Sequence, residues 1–108
     1  VWNLDKLLKN DSPQFDQRQA AQGRSRIPAV ASYKVIDKYK VEITTKAPDA
    51  TLPYQIAWVM MSSPAQWEKL GKSWEAFAKT PSGTGPWQLT AFQPRERAEL
   101  SPFPGYWD

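Results

Sequence analysis

The stretch Pro81-Ser82-Gly83-Thr84-Gly85-Pro86-Trp87 gathers two prolines and two glycines just ahead of an aromatic residue, and it constrains the backbone more tightly than any other part of the chain. Gly83 and Gly85 accept positive φ at little steric cost, while Pro86 fixes its own φ and pushes Gly85 out of the α region. A helix ends here and a strand begins. Two glycines around the Thr84 hydroxyl also suit a nest of amide donors for an anion, but no Lys follows in the P-loop pattern and no helix signal follows Pro86. Gly83, Thr84, Gly85 and Pro86 are therefore read as a structural turn that hinges the chain into a hairpin. Its strands are Trp87 to Phe92 and a return through Ala98-Glu99-Leu100, joined by the polar turn Gln93 to Arg97.

Upstream, Leu4, Leu7 and Leu8 share one face at helical spacing, so residues 1 to 9 read as an amphipathic helix that stops near Asn10-Asp11-Ser12-Pro13. Residues 14 to 26 are polar and read as a loop or a short helix ending at Gly23. From Ser32 to Lys46 the period changes to two: Tyr39, Val41, Ile43 and Thr45 alternate with Lys40, Glu42, Thr44 and Lys46. With Tyr33 to Ile36 as the partner strand and Asp37-Lys38 as the turn, this predicts an antiparallel hairpin in which Tyr33 and Tyr39 pair across the strands. Ala47 to Ala50 breaks the strand ahead of a short helix through Leu52 to Ala57. Ser63-Pro64-Ala65-Gln66 then carries an N-cap, a first-turn proline and a capping-box Gln, and Trp67, Leu70, Trp74 and Phe77 follow as the inner face of helices running up to Thr80-Pro81.

Between those helices, Trp58-Val59-Met60-Met61 is an apolar run without charge. It suits a buried strand, or an adaptable binding wall, since Met fills irregular shapes and tolerates varied partners.

Composition removes several classes of function. The chain has 108 residues, so it forms one domain at most, and six Trp, four Tyr and four Phe argue that it folds. With no Cys and no His, disulfides, thiolate metal sites, His-containing zinc sites and Ser–His–Asp catalysis are impossible on this chain alone. The carboxylates are scattered, so no enzyme, metal site or cofactor is expected. A net charge of +3 raises the question of nucleic acid, but the bases are spread along the chain. The densest group, Arg18, Arg24 and Arg26, has no aromatic alternating with it and reads as a solvated face. No stretch approaches the roughly 20 apolar residues of a membrane span.

The hairpin that begins at Gly83-Thr84-Gly85-Pro86-Trp87 and closes at Phe103-Pro104-Gly105-Tyr106-Trp107 resembles one found in the family 5 extracellular solute-binding proteins, the peptide-, dipeptide- and nickel-binding components of bacterial ABC importers. Phe103 stands where that family usually has a polar residue. The segment Val35-Ile36-Asp37-Lys38-Tyr39-Lys40-Val41-Glu42-Ile43 is similar to the family's Val-x-Asp-x-Tyr-Thr-Val-x-Ile hairpin, Ser63-Pro64 matches its next helix start, and Val1 to Leu8 looks like the end of its first helix.

The resemblance implies an α+β fold, a small antiparallel sheet with helices packed on one face, belonging to the first lobe of a two-lobed periplasmic-binding-protein-like receptor. Residues 1–81 would form a small subdomain containing hairpin 32–46, and residues 82–108 would return to the main lobe sheet. It implies capture of peptides or similar small solutes by closure of two lobes, docking on a membrane permease, and a periplasmic or extracellular location with an anchor in a preceding segment. In the family the segment corresponding to Trp58, Val59, Met60 and Met61 borders the ligand cleft. An unpaired strand edge at Trp87 to Phe92 would favour weak self-association. A self-contained module that recognises a protein partner through exposed Trp residues is the alternative.

Overall fold

The computed structural model describes residues 1–107, so Asp108, at the end of the closing motif, lies outside the described residues. The elements in chain order are α1 (Trp2–Leu8), α2 (Gln17–Arg26), β1 (Val30–Asp37), β2 (Lys40–Thr45), α3 (Leu52–Ile56), α4 (Pro64–Lys69), α5 (Trp74–Lys79), β3 (Trp87–Gln93) and β4 (Arg97–Pro102). The class is α+β, with two separate two-stranded antiparallel sheets, β1-β2 and β3-β4, instead of one. The chain divides into two compact units, Val1–Met61 and a second that begins at Ser62. The second unit holds α4 and α5 together with the second hairpin.

In the first unit, α1 buries Leu4 and Leu7, and these join Ile27 and Val59 in a core flanked by Leu8, Val30, Tyr33, Ile43 and Ile56. The polar stretch after α1 does form a helix, because Asp16 caps it: its carboxylate accepts the Arg18 N–H at 2.8 Å and the Gln19 N–H at 3.1 Å, a cap of about 1 kcal/mol. The helix runs through Gly23 to Arg26 instead of stopping at the glycine. Arg24 then closes the end of α1, donating from Nε to the Leu7 carbonyl at 2.9 Å and from Nη2 to the Leu8 carbonyl at 3.3 Å.

The first hairpin pairs Tyr33 with Ile43, Val35 with Val41 and Asp37 with Lys40. Its loop is therefore Lys38-Tyr39, one residue later than the Asp37-Lys38 turn expected. The Asp37 carboxylate accepts the Tyr39 N–H at 2.8 Å, an Asx turn that takes Tyr39 out of the strand. Tyr39 is 87% exposed, so it is not the core partner of Tyr33; Ile43 is. Asp49 organises the start of α3, accepting from the Thr51 N–H at 2.8 Å, the Thr51 hydroxyl at 2.6 Å and Gln55 Nε2 at 3.1 Å. The hydrogen bond from the Thr51 hydroxyl, seconded by its backbone, holds the Asp49 carboxyl below the usual carboxylate range.

In the second unit, Ser63 caps α4 as expected, accepting the Gln66 N–H at 3.3 Å. The capping box stays half formed, because the Gln66 side chain instead donates to the Thr80 carbonyl at 2.8 Å. The helix ends in a Schellman motif: Lys72 N–H reaches the Trp67 carbonyl at 2.9 Å and Gly71 N–H the Glu68 carbonyl at 3.0 Å, with Gly71 at φ +67°. Trp67, buried, stacks with Trp74 at 5.7 Å between ring centroids, and Trp74 meets Phe77 edge-on at 5.5 Å. These aromatics form the inner face expected of them. The second hairpin pairs Trp87 with Pro102, Leu89 with Leu100 and Phe92 with Ala98, with a bulge between Leu89 and Ala91.

Gly83 and Gly85 correct the reading of their turn. Neither adopts a positive φ; among the described glycines only Gly71 does. Both are exposed, and a Cβ on either would meet nothing within 4 Å. Direction is set instead by a bend at Gly85-Pro86 and by the Pro86 carbonyl, which accepts the Phe103 N–H at 2.8 Å and so continues the β3-β4 pairing by one step.

Candidate functional site

The apolar run after α3 forms neither strand nor helix. The Trp58 N–H donates to the Gln55 carbonyl at 3.1 Å and the Val59 N–H to the Ile56 carbonyl at 3.0 Å, so the chain leaves α3 through a turn. From there the side chains separate by environment. Val59 is 4% exposed and belongs to the core, so it does not offer a side-chain surface as part of a wall; Trp58, Met60 and Met61 are 55%, 69% and 68% exposed. The buried-strand alternative fails for the same reason: three of the four side chains are more than half exposed.

Arg26, the last residue of α2, lies over the Trp58 ring with its guanidinium carbon 4.8 Å from the ring centroid, within cation–π range. The pair forms a ridge between two clefts. One, of about 310 Å³, is lined by Arg26, Thr51, Tyr54, Gln55 and Trp58 among others. The other, of about 180 Å³, includes Lys6, Gln19, Gln22, Arg26, Trp58 and Met60. Among the described residues, no carboxylate lines either cleft. The arrangement offers aromatic and thioether surface, amide and hydroxyl groups and positive charge, which is the chemistry of a binding surface.

Beneath this surface lies Lys6, 0% exposed, whose Nζ donates to the Met60 carbonyl at 3.1 Å. Burial pushes the Lys6 ammonium below its ordinary value, and the negative charge of Asp16 pulls weakly the other way. Sequence reasoning missed Lys6, Arg26 and Tyr54. A signal existed for Tyr54, which stands four residues before Trp58 and so shares its side of the helix end. None existed for Lys6, since a lysine off the Leu4, Leu7 and Leu8 face of a helix ordinarily extends into water.

Gly83, Thr84, Gly85 and Pro86 lie in the second unit, exposed, on the approach to β3. Among the described residues there is no group of three or more metal-ligating side chains. No helix among them is long and apolar enough to cross a membrane.

The family model of the bacterial extracellular solute-binding proteins, family 5 Middle, matches residues 1–108. The chain belongs to that family, and with it to the solute-binding components of ABC transport, which act outside the cytoplasm. No curated protein and no solved structure matches the chain.

Proposed function

We propose that this chain supplies one wall of a receptor that captures peptides or similar small solutes by closure of two lobes and delivers them to a membrane permease, with no catalytic step. The observation that carries the reading is the exposure of Trp58, Met60 and Met61 on a segment whose intervening Val59 is sunk in the core. A rigidly seated strip of two thioethers and an indole gives contact area with little sequence preference, which suits a receptor for varied side chains. Gly83 to Pro86 would serve as the turn through which the second hairpin joins the lobe. The test is a titration of the receptor, both lobes present, with di- to pentapeptides. Saturable shifts at Trp58, Met60 and Met61, weakened about tenfold or more by Trp58→Ala, are expected. Tight peptide binding indifferent to Trp58→Ala would remove this wall from the site.

Self-association belongs to the same reading, since each hairpin is only two strands wide and leaves backbone groups at its edges. Weak dimerisation at high concentration is expected in sedimentation, and a concentration-independent monomer argues against it. The second reading, an interaction module, draws on Trp87 and Trp107, which are 58% and 83% exposed. Partner-induced shifts confined to those two residues would favour it.

A further inference from the structure

We infer that Lys6 is a positioning residue for the Trp58–Met61 wall, a role that rests on the solute-binding reading of that segment. The segment has no ladder or helix of its own. Among the described residues, no backbone carbonyl outside a helix or strand accepts from the N–H of Met60 or Met61. The wall is anchored from two sides at adjacent residues. Val59 inserts its side chain into the core, and the next carbonyl, that of Met60, accepts from Lys6 across a sequence separation of 54 residues.

A fully buried ammonium is an expensive anchor. Burial disfavours its charge, and an ordinary apolar residue between Leu4 and Leu7 would fill the space without that penalty. What the ammonium supplies that a methyl cannot is a directed, charge-assisted hydrogen bond to one carbonyl. That bond fixes the backbone from which the exposed Met60 and Met61 side chains project. Fixing it from below leaves both thioethers facing solvent, which a hydrogen bond from a surface side chain would not.

The test uses the 108-residue chain with methyl-labelled methionine, in which Met60 and Met61 give the only two signals. In Lys6→Leu, which adds no methionine, backbone order parameters at Met60 and Met61 are expected to fall from the rigid range near 0.85 to below about 0.6, with averaging of both methyl signals. The Ile27 amide, bonded to the Gly23 carbonyl at 3.1 Å, and the paired amides of Tyr33 and Ile43 should be unchanged. Loosening spread evenly over the first unit, or no change at Met60 and Met61, overturns the inference. Should Lys6→Leu not fold, an ester in place of the Met60–Met61 amide weakens the same acceptor without touching Lys6 and must give the same local loosening. Because the readout needs no ligand, the two readings separate. Peptide response with Lys6-independent methionine order sinks this inference alone, whereas Lys6-dependent order in a receptor whose wall ignores peptides sinks the solute reading.

Discussion

Gly23 of α2 presses its bare Cα against the Leu7 side chain of α1, so closely that an added Cβ would stand 2.7 Å from Leu7 Cδ1 and 2.9 Å from Cδ2. Leu7 is 4% exposed and held by the core, so its methyls have nowhere to retreat. The glycine is thus the contact point of two helices and not the stop signal it resembles in the sequence.

Gly23→Ala therefore sets two effects against each other. Ala improves helix propensity by about 1 kcal/mol, whereas overpacking a filled core costs about 1 to 3 kcal/mol. The steric effect wins, and a net loss of about 1 kcal/mol is expected in urea unfolding followed by circular dichroism. Leu7→Ala in the same background opens space for the new methyl, so the double variant should lose less than the two single losses added. A stabilised Gly23→Ala would mean that the helices separate at little expense.

That glycine shows where the sequence was legible and where it was not. Caps and local periods were readable, because Ser63 and the alternation around Ile43 act on backbone a few residues away. The aromatic face of Trp67, Trp74 and Phe77 was readable for the same reason. What hid was set by tertiary contact: α2 passing through Gly23, Val59 turning into the core, and Lys6 buried beneath Met60. The Lys38-Tyr39 loop was missed by one residue, since the Asx turn of Asp37 decides between two registers that the alternation alone leaves equal.

Arg24→Met should weaken the joint between α1 and α2 without emptying the core. It removes the bonds to the Leu7 and Leu8 carbonyls and a 2.5 Å bond from Nη2 to Asn10 Oδ1, and with them the guanidinium over the Phe15 ring at 5.5 Å. Charge-assisted bonds that satisfy helix-end carbonyls at a partly wet site contribute about 1 to 2 kcal/mol together. The expected sign is a lower thermal midpoint with faster exchange of the Lys9 amide, which closes the last turn of α1 on the Asp5 carbonyl at 3.0 Å.

Tyr33 should make the protein sensitive to alkali. Its hydroxyl donates to Asp5 Oδ1 at 2.9 Å, and burial first, then that hydrogen bond and the Asp5 charge, push the phenol well above its ordinary 10.0. Above that value the unfolded chain releases the phenolic proton while the folded one keeps it. The unfolded state then binds fewer protons, and stability falls as pH rises. Lys9, held above its ordinary value of 10.5 by its hydrogen bond to Asp5, acts in the same direction. Lys6 acts oppositely: its lowered value means stability rises between that value and 10.5. Tyr33→Phe should flatten the alkaline loss in urea midpoints measured on either side of 10.0. An unchanged slope would assign the loss to Lys9.

Arg95 offers the simplest stabilisation. It sits at φ 69° after Pro94, and the Gln93 carbonyl accepts the Glu96 N–H at 3.1 Å, the pattern of a type II turn whose third residue favours glycine. A side chain in the left-handed region costs about 1 to 2 kcal/mol, and glycine returns part of that gain through the entropy of the unfolded chain. Arg95→Gly should therefore raise stability by about 0.5 to 1 kcal/mol and leave the β3-β4 pairing of Phe92 with Ala98 intact. Arg95→Val, with a branched Cβ at the same φ, should lower it. If both variants shift the unfolding midpoint in the same direction, backbone strain at Arg95 is not what limits this hairpin.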